Sequence, residues 1–227
     1  MGEPLDTREE QAAEIIDRLS QQYPDPEISL EFSTRMELLV AVILSAQCTD
    51  ERVNAVTDEL FDKYSDVEAF AGANIEELAE DINSITYYNS KAEYIQNAAE
   101  LIVEQHDGMV PDTMDALTAL PGVGRKTANV VLQHGHDVVE GIVVDTHVQR
   151  LSQRLGLTEK SQPKAIEKDL IEIVPQDDWQ ELTHWFISHG RNTCTARKPE
   201  CGDCILEDIC PSSRLDQDID LANGAEW

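Results

Sequence analysis

Apolar residues recur along most of this chain at the three-to-four-residue spacing that predicts amphipathic helices. In residues 7–23 the apolar positions follow Ala12 at i+3, i+4 and i+7, and the pattern ends before Pro24. Residues 36–48 are apolar nearly all round, which predicts a helix buried on most sides. The sequence has no long alternating segment, so we predict an all-α fold of about ten helices. Further helices are predicted over residues 52–64, 75–84, 91–106, 126–134, 146–155, 163–173 and 178–189, with one more beginning near residue 112.

Polar caps and glycines predict where several of these helices begin and end. Asp112 and Asp145 each precede a periodic segment and are predicted N-caps. Gly190 is a predicted C-cap. Residues 87–89 are predicted to form a loop between two helices. Residues 141–144 have the composition of a strand, but they are short and isolated.

The composition adds a strongly acidic surface to this helical picture. The 227 residues include 45 Asp and Glu against 17 Lys and Arg, a formal net charge of −28. The acids are spread along the chain, and the charge exceeds the magnitude of roughly 2–8 that keeps a small domain soluble. We therefore favour a halophilic protein, working where screening acts over about 3 Å at 1 M salt, over an ordinary acidic one. Taken alone, the charge argues against binding to nucleic acid.

Residues 121–154 differ from the rest of the chain in charge. Four basic residues stand there against three acidic ones, a net of +1. Because basic side chains make many of the contacts to a nucleic-acid backbone, we expect this stretch to face any phosphate that the protein binds. The four basic residues are Arg125, Lys126, Arg150 and Arg154.

The hydropathy of the chain does not indicate a membrane protein. The apolar run 36–48 is too short to span a bilayer and contains Glu37. The first ten residues, MGEPLDTREE, have no basic flank and no apolar stretch. We therefore expect a cytoplasmic protein, associated with the nucleoid if it binds DNA, without a signal peptide or a transmembrane segment.

Four of the five cysteines lie close together with the spacing C-x6-C-x2-C-x5-C. Disulfides are disfavoured in a cytoplasmic chain. Structural zinc sites usually pair two C-x2-C elements, whereas this segment has one such pair and two single cysteines. Four thiolates in so compact a loop favour a [4Fe–4S] cluster, with zinc as the alternative, and Cys48 is predicted to be a core residue. The four predicted ligands are Cys194, Cys201, Cys204 and Cys210.

A glycine-containing turn, LPGVGRKTAN at residues 120–129, separates two predicted helices. Gly122 and Gly124 let the backbone approach a ligand closely, and the positive end of the second helix favours an anion. A DNA phosphate suits this place, since phosphates are commonly held by backbone N–H groups and helix N-termini. A lone Gly-x-Gly is a weak signal and by itself indicates only a tight turn.

Lys126 and Asp145 make the functional interpretation of this turn more specific. Lys126 lies just inside the second helix, where the helix dipole disfavours a protonated amine, and a neutral amine can attack C1′ of a sugar to form a Schiff base. Asp145, nineteen residues later (145 − 126), is suited to stabilise an oxocarbenium-like sugar or to assist proton transfers. For either residue alone, a solvated lysine or a plain N-cap is the simpler interpretation.

Five segments together resemble the endonuclease III family, within the helix–hairpin–helix (HhH-GPD) superfamily of DNA glycosylases. The resemblance covers nearly the whole chain, apart from the first few residues and those after Pro211. Its most specific element is the lysine–aspartate pair combined with a four-cysteine loop. The segments are LLVAVILSAQCTD at 38–50, YNSKAEYI at 88–95, ALPGVGRKTANVVL at 119–132, VDTHVQRL at 144–151 and HWFISHGRNTCTARKPECGDCILEDIC at 184–210.

The resemblance implies a bifunctional DNA glycosylase of base excision repair. Such enzymes remove oxidised pyrimidines such as thymine glycol and cleave the abasic site by β-elimination. Lys126 would be the Schiff-base nucleophile and Asp145 the essential carboxylate. The iron–sulfur cluster would be a structural staple for a DNA-contacting loop. We expect a monomer that binds double-stranded DNA with a damaged base or an abasic site.

The resemblance also assigns roles around the extruded base, which must leave the stack before it can be excised. Gln47 would fill the gap in the duplex, and Tyr87 would be a second inserted residue. The family usually has Gly-Leu-Tyr before Asn-Ser-Lys-Ala, so Tyr87 is a departure, and its ring can stack on a base. Ser45 and Asp50 would lie near the lesion pocket.

The remaining implied contacts concern the DNA backbone. Main-chain carbonyls of Thr118, Leu120 and Val123 would hold a monovalent cation that bridges to phosphate. The expected DNA-binding residues are Gln47, Tyr87, Gly122, Gly124, Arg125, Thr127, His147, Arg191, Arg197 and Lys198.

The family architecture implies two helical lobes with a DNA-binding cleft between them. A six-helix lobe would run over residues 27–138 and include the helix–hairpin–helix at about 112–134. A discontinuous iron–sulfur lobe would combine residues 1–26 with 139–227 and hold the cluster loop 194–210. This division is implied by the resemblance alone.

Other functions compete with this interpretation. Glycosylases specific for mismatched thymine or adenine often carry Ser or Tyr at the lysine position, so Lys126 disfavours them. A non-catalytic helix–hairpin–helix DNA-binding protein would need neither Lys126 nor Asp145. A ferredoxin-like electron carrier would not need so many helical residues before its first ligand. A helical protein with a structural zinc is the remaining alternative.

Overall fold

The computed structural model describes residues 7–24 and 28–213. Within these ranges the chain forms α-helices and three short 3₁₀ turns without any β-strand, which confirms the predicted all-α class. None of the described helices combines the length and the apolar character that crossing a bilayer requires. The helices are α1 Arg8–Gln22, α2 Arg35–Ser45, α3 Asp50–Lys63, α4 Val67–Ala71, α5 Ile75–Asp81, α6 Tyr88–Gln105, α7 Met114–Thr118, α8 Arg125–His136, α9 Thr146–Arg154, α10 Pro163–Ile173 and α11 Trp179–Asn192.

The described residues divide into two compact units. One unit is Ile28–Glu140, which contains α2 to α8. The other combines the described residues before Glu27 with those from Gly141 onward, so that α1 belongs with α9, α10 and α11. The parts of the expected lobes at residues 1–6, 25–27 and 214–227 lie outside the described residues.

Helix α2 is the centre of the unit Ile28–Glu140. Eight of its eleven residues are buried, because α3, α6 and α8 all pack against it. Each fully buried Leu or Ile contributes roughly 1.5–3 kcal/mol through the loss of apolar surface from water. Thr34 caps the helix by accepting a hydrogen bond from the backbone N–H of Glu37. The nearly continuous apolar run therefore has the buried position that its composition predicts.

The second unit has its own core between α1, α9, α10 and α11. Ile15 and Leu19 of α1 are fully buried there together with Leu151, Leu170 and Phe186. Helix α1 begins with a complete capping box, in which Thr7 and Glu10 each bond the other's backbone N–H. These contacts fix the helices from which the later cysteine segment extends.

Three local predictions differ from the structure. Thr113, not Asp112, is the N-cap of α7, since its hydroxyl accepts from the N–H of Ala116. Helix α6 begins at Tyr88, so that only Tyr87 of the predicted loop precedes it. Residues 141–144, whose strand-like composition is short and isolated, form no strand, in agreement with the predicted all-α class. Gly190 lies inside α11, which ends with Thr193 as its C-cap.

Gly190 is explained by a close approach between two helices of the same unit. A Cβ at this position would lie 2.5 Å from Nδ1 of His147 and 2.7 Å from Nη2 of Arg150. Packing against α9 therefore requires glycine at position 190, and the prediction that Gly190 is a C-cap is wrong.

Candidate active site and cysteine loop

The turn between α7 and α8 is a hairpin with an anchored base and an exposed tip. Val123 donates its backbone N–H to the carbonyl of Leu120, which closes the turn. Leu120 and Val123 are buried in the core of the unit, whereas Gly122 and Gly124 are exposed. The apolar side chains therefore hold the turn in place while its glycine backbone faces outward.

Gly122 has a specific steric reason to be glycine. Its φ is +76°, in the left-handed region, and a Cβ there would lie 2.8 Å from Cβ of Tyr94. Gly124 differs, since its φ is −89° and a Cβ would meet nothing within 4 Å. The hairpin thus needs Gly122 for its own geometry, whereas Gly124 leaves an open space beside the start of α8.

Lys126 is the second residue of α8 and is exposed. The N-cap of this helix is Gly124, which has no side chain to bond the first free N–H groups. The helix begins with no acidic residue in its first turn, and Arg125 precedes the lysine. This helix end therefore combines backbone N–H groups that no N-cap side chain bonds with two cationic side chains, an arrangement that favours an anion such as phosphate.

Asp145 is the N-cap of α9, as the sequence predicts. Its Oδ1 accepts hydrogen bonds from the N–H groups of His147 and Val148, both at 2.8 Å. Neither bond uses Oδ2. The carboxylate is half-buried and is held in one orientation by the helix, which leaves its other oxygen available for chemistry.

A buried histidine lies near Asp145 and was not identified from the sequence. His184 of α11 is nine-tenths buried, and burial lowers its pKa while the nearby Asp145 carboxylate opposes that change. Its position depends on the packing of α11 against α9, which no local sequence pattern reports.

Arg150 and Arg154, two of the four basic residues in the stretch 121–154, are bonded to carbonyls of their own unit. Nη2 of Arg150 donates to the carbonyls of Gly190 and Cys194, each at 3.1 Å. Arg154 donates to the carbonyls of Thr195 and Ala196, each at 2.9 Å. Both guanidinium groups therefore hold the start of the cysteine segment. The positive charge of residues 121–154 is only partly directed at a possible phosphate, because two of its four cations serve this internal purpose.

The segment of residues 194–210, which we call the cysteine loop, packs against the core of its unit. Cys194, Cys204 and Cys210 contact that core, and all four predicted ligands are half-buried free thiols. Arg18 of α1 supports the loop by donating to the carbonyl of Ile205 at 2.7 Å. Among the described residues, no group of three or more His, Cys, Asp or Glu side chains forms a site for a single metal ion.

Polar groups are directed at the sulfur atoms of the cysteine loop. Nη1 of Arg154 lies 3.3 Å from Sγ of Cys194, and the N–H of Leu206 lies 3.4 Å from Sγ of Cys204. Burial raises the pKa of Cys204 and raises that of Cys210 to about 11, and the neighbouring cysteines add to both changes. The raised pKa values favour the protonated thiols, and a positively charged group bound at the sulfurs favours the thiolates instead.

His189 completes the surroundings of Cys204. Its Nε2 lies 3.5 Å from Sγ of Cys204, and burial lowers its pKa to about 4. A neutral ring can donate only one N–H, and Nδ1 has no hydrogen-bond partner among the described residues. This arrangement fits the tautomer that carries its proton on Nε2 and donates it toward the sulfur.

Gln47 and Tyr87 share an unusual backbone conformation. Their φ angles are +56° and +59°, which residues with a Cβ rarely adopt. Both side chains are exposed, and Tyr87 retains 65% of its accessible surface. Strained, exposed residues of this kind occur where the surrounding structure fixes them for a task.

The other predicted contacts lie on several elements. Ser45 ends α2 and donates its hydroxyl to the carbonyl of Val42, and Asp50 begins α3. Thr127 is half-buried beside Lys126. Arg191 is exposed near the end of α11, and Arg197 and Lys198 are exposed on the cysteine loop.

Three further predicted residues belong to the hairpin and to α9. The carbonyl of Leu120 accepts the N–H of Val123, and a carbonyl oxygen has a second lone pair for a cation. Thr118 ends α7, with its hydroxyl bonded to the carbonyl of Met114. His147 is half-buried on α9, with its Nδ1 3.2 Å from Nη2 of Arg150.

Two family models match this chain. Residues 40–176 match the model of the HhH-GPD superfamily base excision DNA repair protein. Residues 194–210 match the model of the iron–sulfur binding domain of endonuclease III. The second match spans the cysteine loop from its first cysteine to its last.

Individual proteins resemble the chain over most of its length. It is 50% identical to an endonuclease III of Synechocystis sp., over 92% of this chain and 95% of that protein. It is 44% identical to the endonuclease III of Escherichia coli strain K12, over 87% and 93% of the two chains. A solved structure of a trapped endonuclease III–DNA covalent intermediate matches with a TM-score of 0.87 at 40% identity, over 93% of this chain and 99% of that one.

Proposed function

The chain belongs to the endonuclease III family of DNA repair enzymes, and on this premise we propose how its residues carry out the reaction. The protein is a DNA glycosylase and abasic-site lyase of base excision repair. Its substrate is double-stranded DNA with a damaged base. The mismatch-specific and non-catalytic alternatives have less support, because relatives at 44% and 50% identity are endonucleases III.

Lys126 is the nucleophile in this proposal. Its amine nitrogen bonds to C1′ of the damaged nucleotide while the bond from C1′ to the base breaks, and the base leaves with a proton. The amine supplies the proton that leaves with the base, and the ring oxygen O4′ takes up a proton from solvent as the C1′–O4′ bond breaks, which gives the protonated Schiff base. Removal of a C2′ proton breaks the bond from C3′ to the phosphate oxygen, which cleaves the strand. The observation that carries the proposal is the exposed lysine in the first turn of the hairpin helix.

Asp145 supports the departure of the base. A carboxylate near C1′ stabilises the positive charge that develops on the sugar as the bond to the base breaks. The two amide bonds to Oδ1 hold the carboxylate in one orientation. The cap of α9 thereby fixes the catalytic group before the substrate arrives.

The cysteine loop holds a [4Fe–4S] cluster. The donor set fits this group, because four free thiols lie on one loop and polar hydrogens approach the sulfurs of Cys194 and Cys204. When bound, the cluster supplies a rigid crosslink and no chemistry in the excision step. Arg197 and Lys198 lie between the first two ligands and contact DNA phosphates in this proposal.

The remaining residues hold the DNA and the flipped nucleotide. Backbone N–H groups at the start of α8 bind phosphate together with the side chain of Arg125, and the hairpin carbonyls hold a monovalent cation on the same backbone. Gln47 and Tyr87 enter the duplex, and Ser45, Asp50 and His147 contact the extruded base. Arg191, Gly122, Gly124 and Thr127 complete the backbone contacts.

A trapping experiment tests the nucleophile. The protein is incubated with a duplex containing thymine glycol in the presence of borohydride, which reduces a Schiff base to a stable amine. We expect a covalent protein–DNA adduct with the native chain and with Lys164→Ala, a control at an exposed lysine on α10. The variant Lys126→Ala should form none. An adduct of normal yield in that variant would exclude Lys126 as the nucleophile.

A further inference from the structure

Lys91 is buried although it carries a charge in solution. It lies on α6 and retains only 4% of its accessible surface. Its Nζ donates hydrogen bonds to the carbonyl of Leu44 at 2.8 Å and to that of Ala46 at 2.6 Å. Buried lysines are rare unless they are paired, so these two carbonyls are the reason for its position.

The two carbonyls belong to the end of α2, where a helix has unsatisfied acceptors. Helix α2 has no basic residue in its own last turn. Within the same turn, the hydroxyl of Ser45 bonds the carbonyl of Val42, and the N–H of Cys48 bonds the carbonyl of Ser45. Lys91 supplies the donors for the carbonyls of Leu44 and Ala46, and its positive charge is favoured at the negative end of the helix.

This turn leads directly into Gln47. The carbonyl of Ala46 belongs to the peptide unit that joins it to Gln47, whose φ is +56°. A residue with a Cβ adopts this conformation only when its surroundings fix the adjacent peptides. The bond from Nζ of Lys91 fixes one of them.

The backbone of Lys91 is also hydrogen-bonded to Tyr87, the second of the two exposed residues that have a left-handed backbone. Its backbone N–H donates to the carbonyl of Tyr87 at 3.1 Å, as part of the first turn of α6. Tyr87 is the N-cap of that helix with φ +59° and makes no side-chain capping bond. One residue therefore holds the backbones of Gln47 and Tyr87 from both sides, through its side chain and its main chain.

We propose that Lys91 is a positioning residue that fixes Gln47 relative to Tyr87 for insertion into the duplex. The inference rests on the proposed roles of those two residues in DNA binding. Lys91 does not touch DNA, and it acts through the turn at residues 44–47. Burial lowers the pKa of Lys91, which agrees with an amine shielded from solvent by this turn.

A double-mutant cycle tests the proposal. The variants are Lys91→Met, which keeps the side-chain length without donors, Gln47→Ala and the double variant. The readout is the single-turnover rate of thymine glycol excision from a duplex. We expect Lys91→Met to reduce this rate on the order of tenfold to a hundredfold, because small misplacements of substrate-positioning groups have effects of this size. In the Gln47→Ala background the same change should cost less than about threefold, since coupled residues are not additive.

The control is Ile102→Val, a buried substitution farther along α6 that leaves both carbonyl bonds intact. It should lower thermal stability without changing the excision rate. A second readout is the fluorescence of 2-aminopurine placed opposite an abasic-site analogue, which reports the insertion directly and should change in Lys91→Met. Lys91→Gln, which keeps an NH2 donor on a side chain one atom shorter, should give intermediate values and replaces the Met variant if that chain does not fold.

The outcomes separate the two proposals. If Gln47→Ala excises at the native rate, the insertion role of Gln47 fails, and the inference about Lys91 fails with it. If Gln47→Ala is slow but Lys91→Met is native in rate and fluorescence, only the inference about Lys91 is overturned. Additive effects of the two substitutions would also overturn it, because Lys91 would then act independently of Gln47.

Discussion

The residue Asp145 has two tasks that use different parts of one carboxylate. Oδ1 accepts both capping bonds from the start of α9, whereas the catalytic proposal needs the negative charge and an accessible oxygen. Capping by itself requires only an oxygen acceptor, which Asn supplies about as well as Asp. The two tasks can therefore be separated by the choice of substitution.

Asp145→Asn should retain stability and lose activity. We expect its unfolding free energy to stay within about 0.5 kcal/mol of the native value, because the cap is kept. Its excision rate should fall on the order of a hundredfold to ten-thousandfold, because the charge is lost. Asp145→Ala should lose the same activity and about 1 kcal/mol of stability in addition. Urea unfolding and single-turnover excision measure the two quantities.

The comparison of the two variants decides between the roles. If Asp145→Asn were as active as the native chain, Asp145 would be only a helix cap. If both variants lost stability equally, the bonds to His147 and Val148 would not be the capping bonds that matter.

The sequence is informative about residues whose role depends on local order along the chain. Asp145 is a cap because a periodic segment follows it, and the structure confirms the cap. Lys91 gives no such signal, since an isolated lysine in a helical pattern is normally solvated and only the packing of α6 on α2 buries it. Arg150 and Arg154 contribute to the net charge of +1 in residues 121–154, but their carbonyl partners lie about forty residues away in sequence, beyond any local pattern.

At the scale of elements, the hairpin shows two glycines with different physical reasons. Gly122 has a left-handed backbone and touches Tyr94 of α6, whereas Gly124 has an ordinary backbone and open space around its Cα. The first glycine is needed by the fold of the unit. The second is needed only if something outside the chain comes close to it.

Substitutions at the two glycines should therefore have opposite signatures. Gly122→Ala should destabilise the protein by about 1–2 kcal/mol from backbone strain alone, with a further cost from the contact with Tyr94. Gly124→Ala should cost at most about 1 kcal/mol as an N-cap change, yet it should weaken DNA binding because its methyl group meets the phosphate. Thermal unfolding and a fluorescence-anisotropy titration with an abasic-analogue duplex measure the two effects.

The hairpin interpretation depends on the second of these results. Native affinity in Gly124→Ala would mean that no phosphate approaches the start of α8 closely. Gly122→Ala, which adds the same methyl group two residues away, serves as the comparison for stability only, because Gly122 is itself a proposed DNA contact.

How well an element is predicted depends on its length and on its neighbours. Pro163–Ile173 is predicted with both bounds, because a proline begins it and eleven residues suffice for a clear apolar face. Val67–Ala71 was not predicted, since five residues show no period and this helix depends on packing against α6. Gly190 was misassigned because a glycine needed for close packing and one that ends a helix look alike in sequence.

At the scale of the whole molecule, the net charge of −28 must be reconciled with a DNA substrate. At low ionic strength the Debye length is long, about 30 Å at 0.01 M, so the many carboxylates repel DNA at a distance. In more concentrated salt this repulsion is screened, and the local contacts decide affinity. The inference that the protein works at high salt stays a prediction. It can be tested because long-range repulsion and local contacts to DNA depend differently on salt concentration.

The number of cations that contact phosphate sets the salt dependence in the screened range. The structure directs Arg150 and Arg154 at carbonyls of their own unit, which leaves Arg125, Arg191, Arg197 and Lys198 as the proposed contacts. Four contacts give a slope of log affinity against log salt of about −3.6, whereas six would give about −5.4. The slope therefore distinguishes the structural from the DNA-binding interpretation of the two arginines.

We expect affinity for an abasic-analogue duplex to rise from about 0.01 to 0.1 M salt, as repulsion is screened, and to fall above that with a slope near −3.6. Lys198→Gln should make the slope shallower by about 1, because one phosphate contact is lost. Arg154→Gln should leave the slope unchanged while weakening the hold on Thr195 and Ala196. A slope near −5.4 that becomes shallower in Arg154→Gln would show that this arginine contacts DNA. A monotonic fall of affinity from the lowest salt concentration would show that the acidic surface does not repel the duplex.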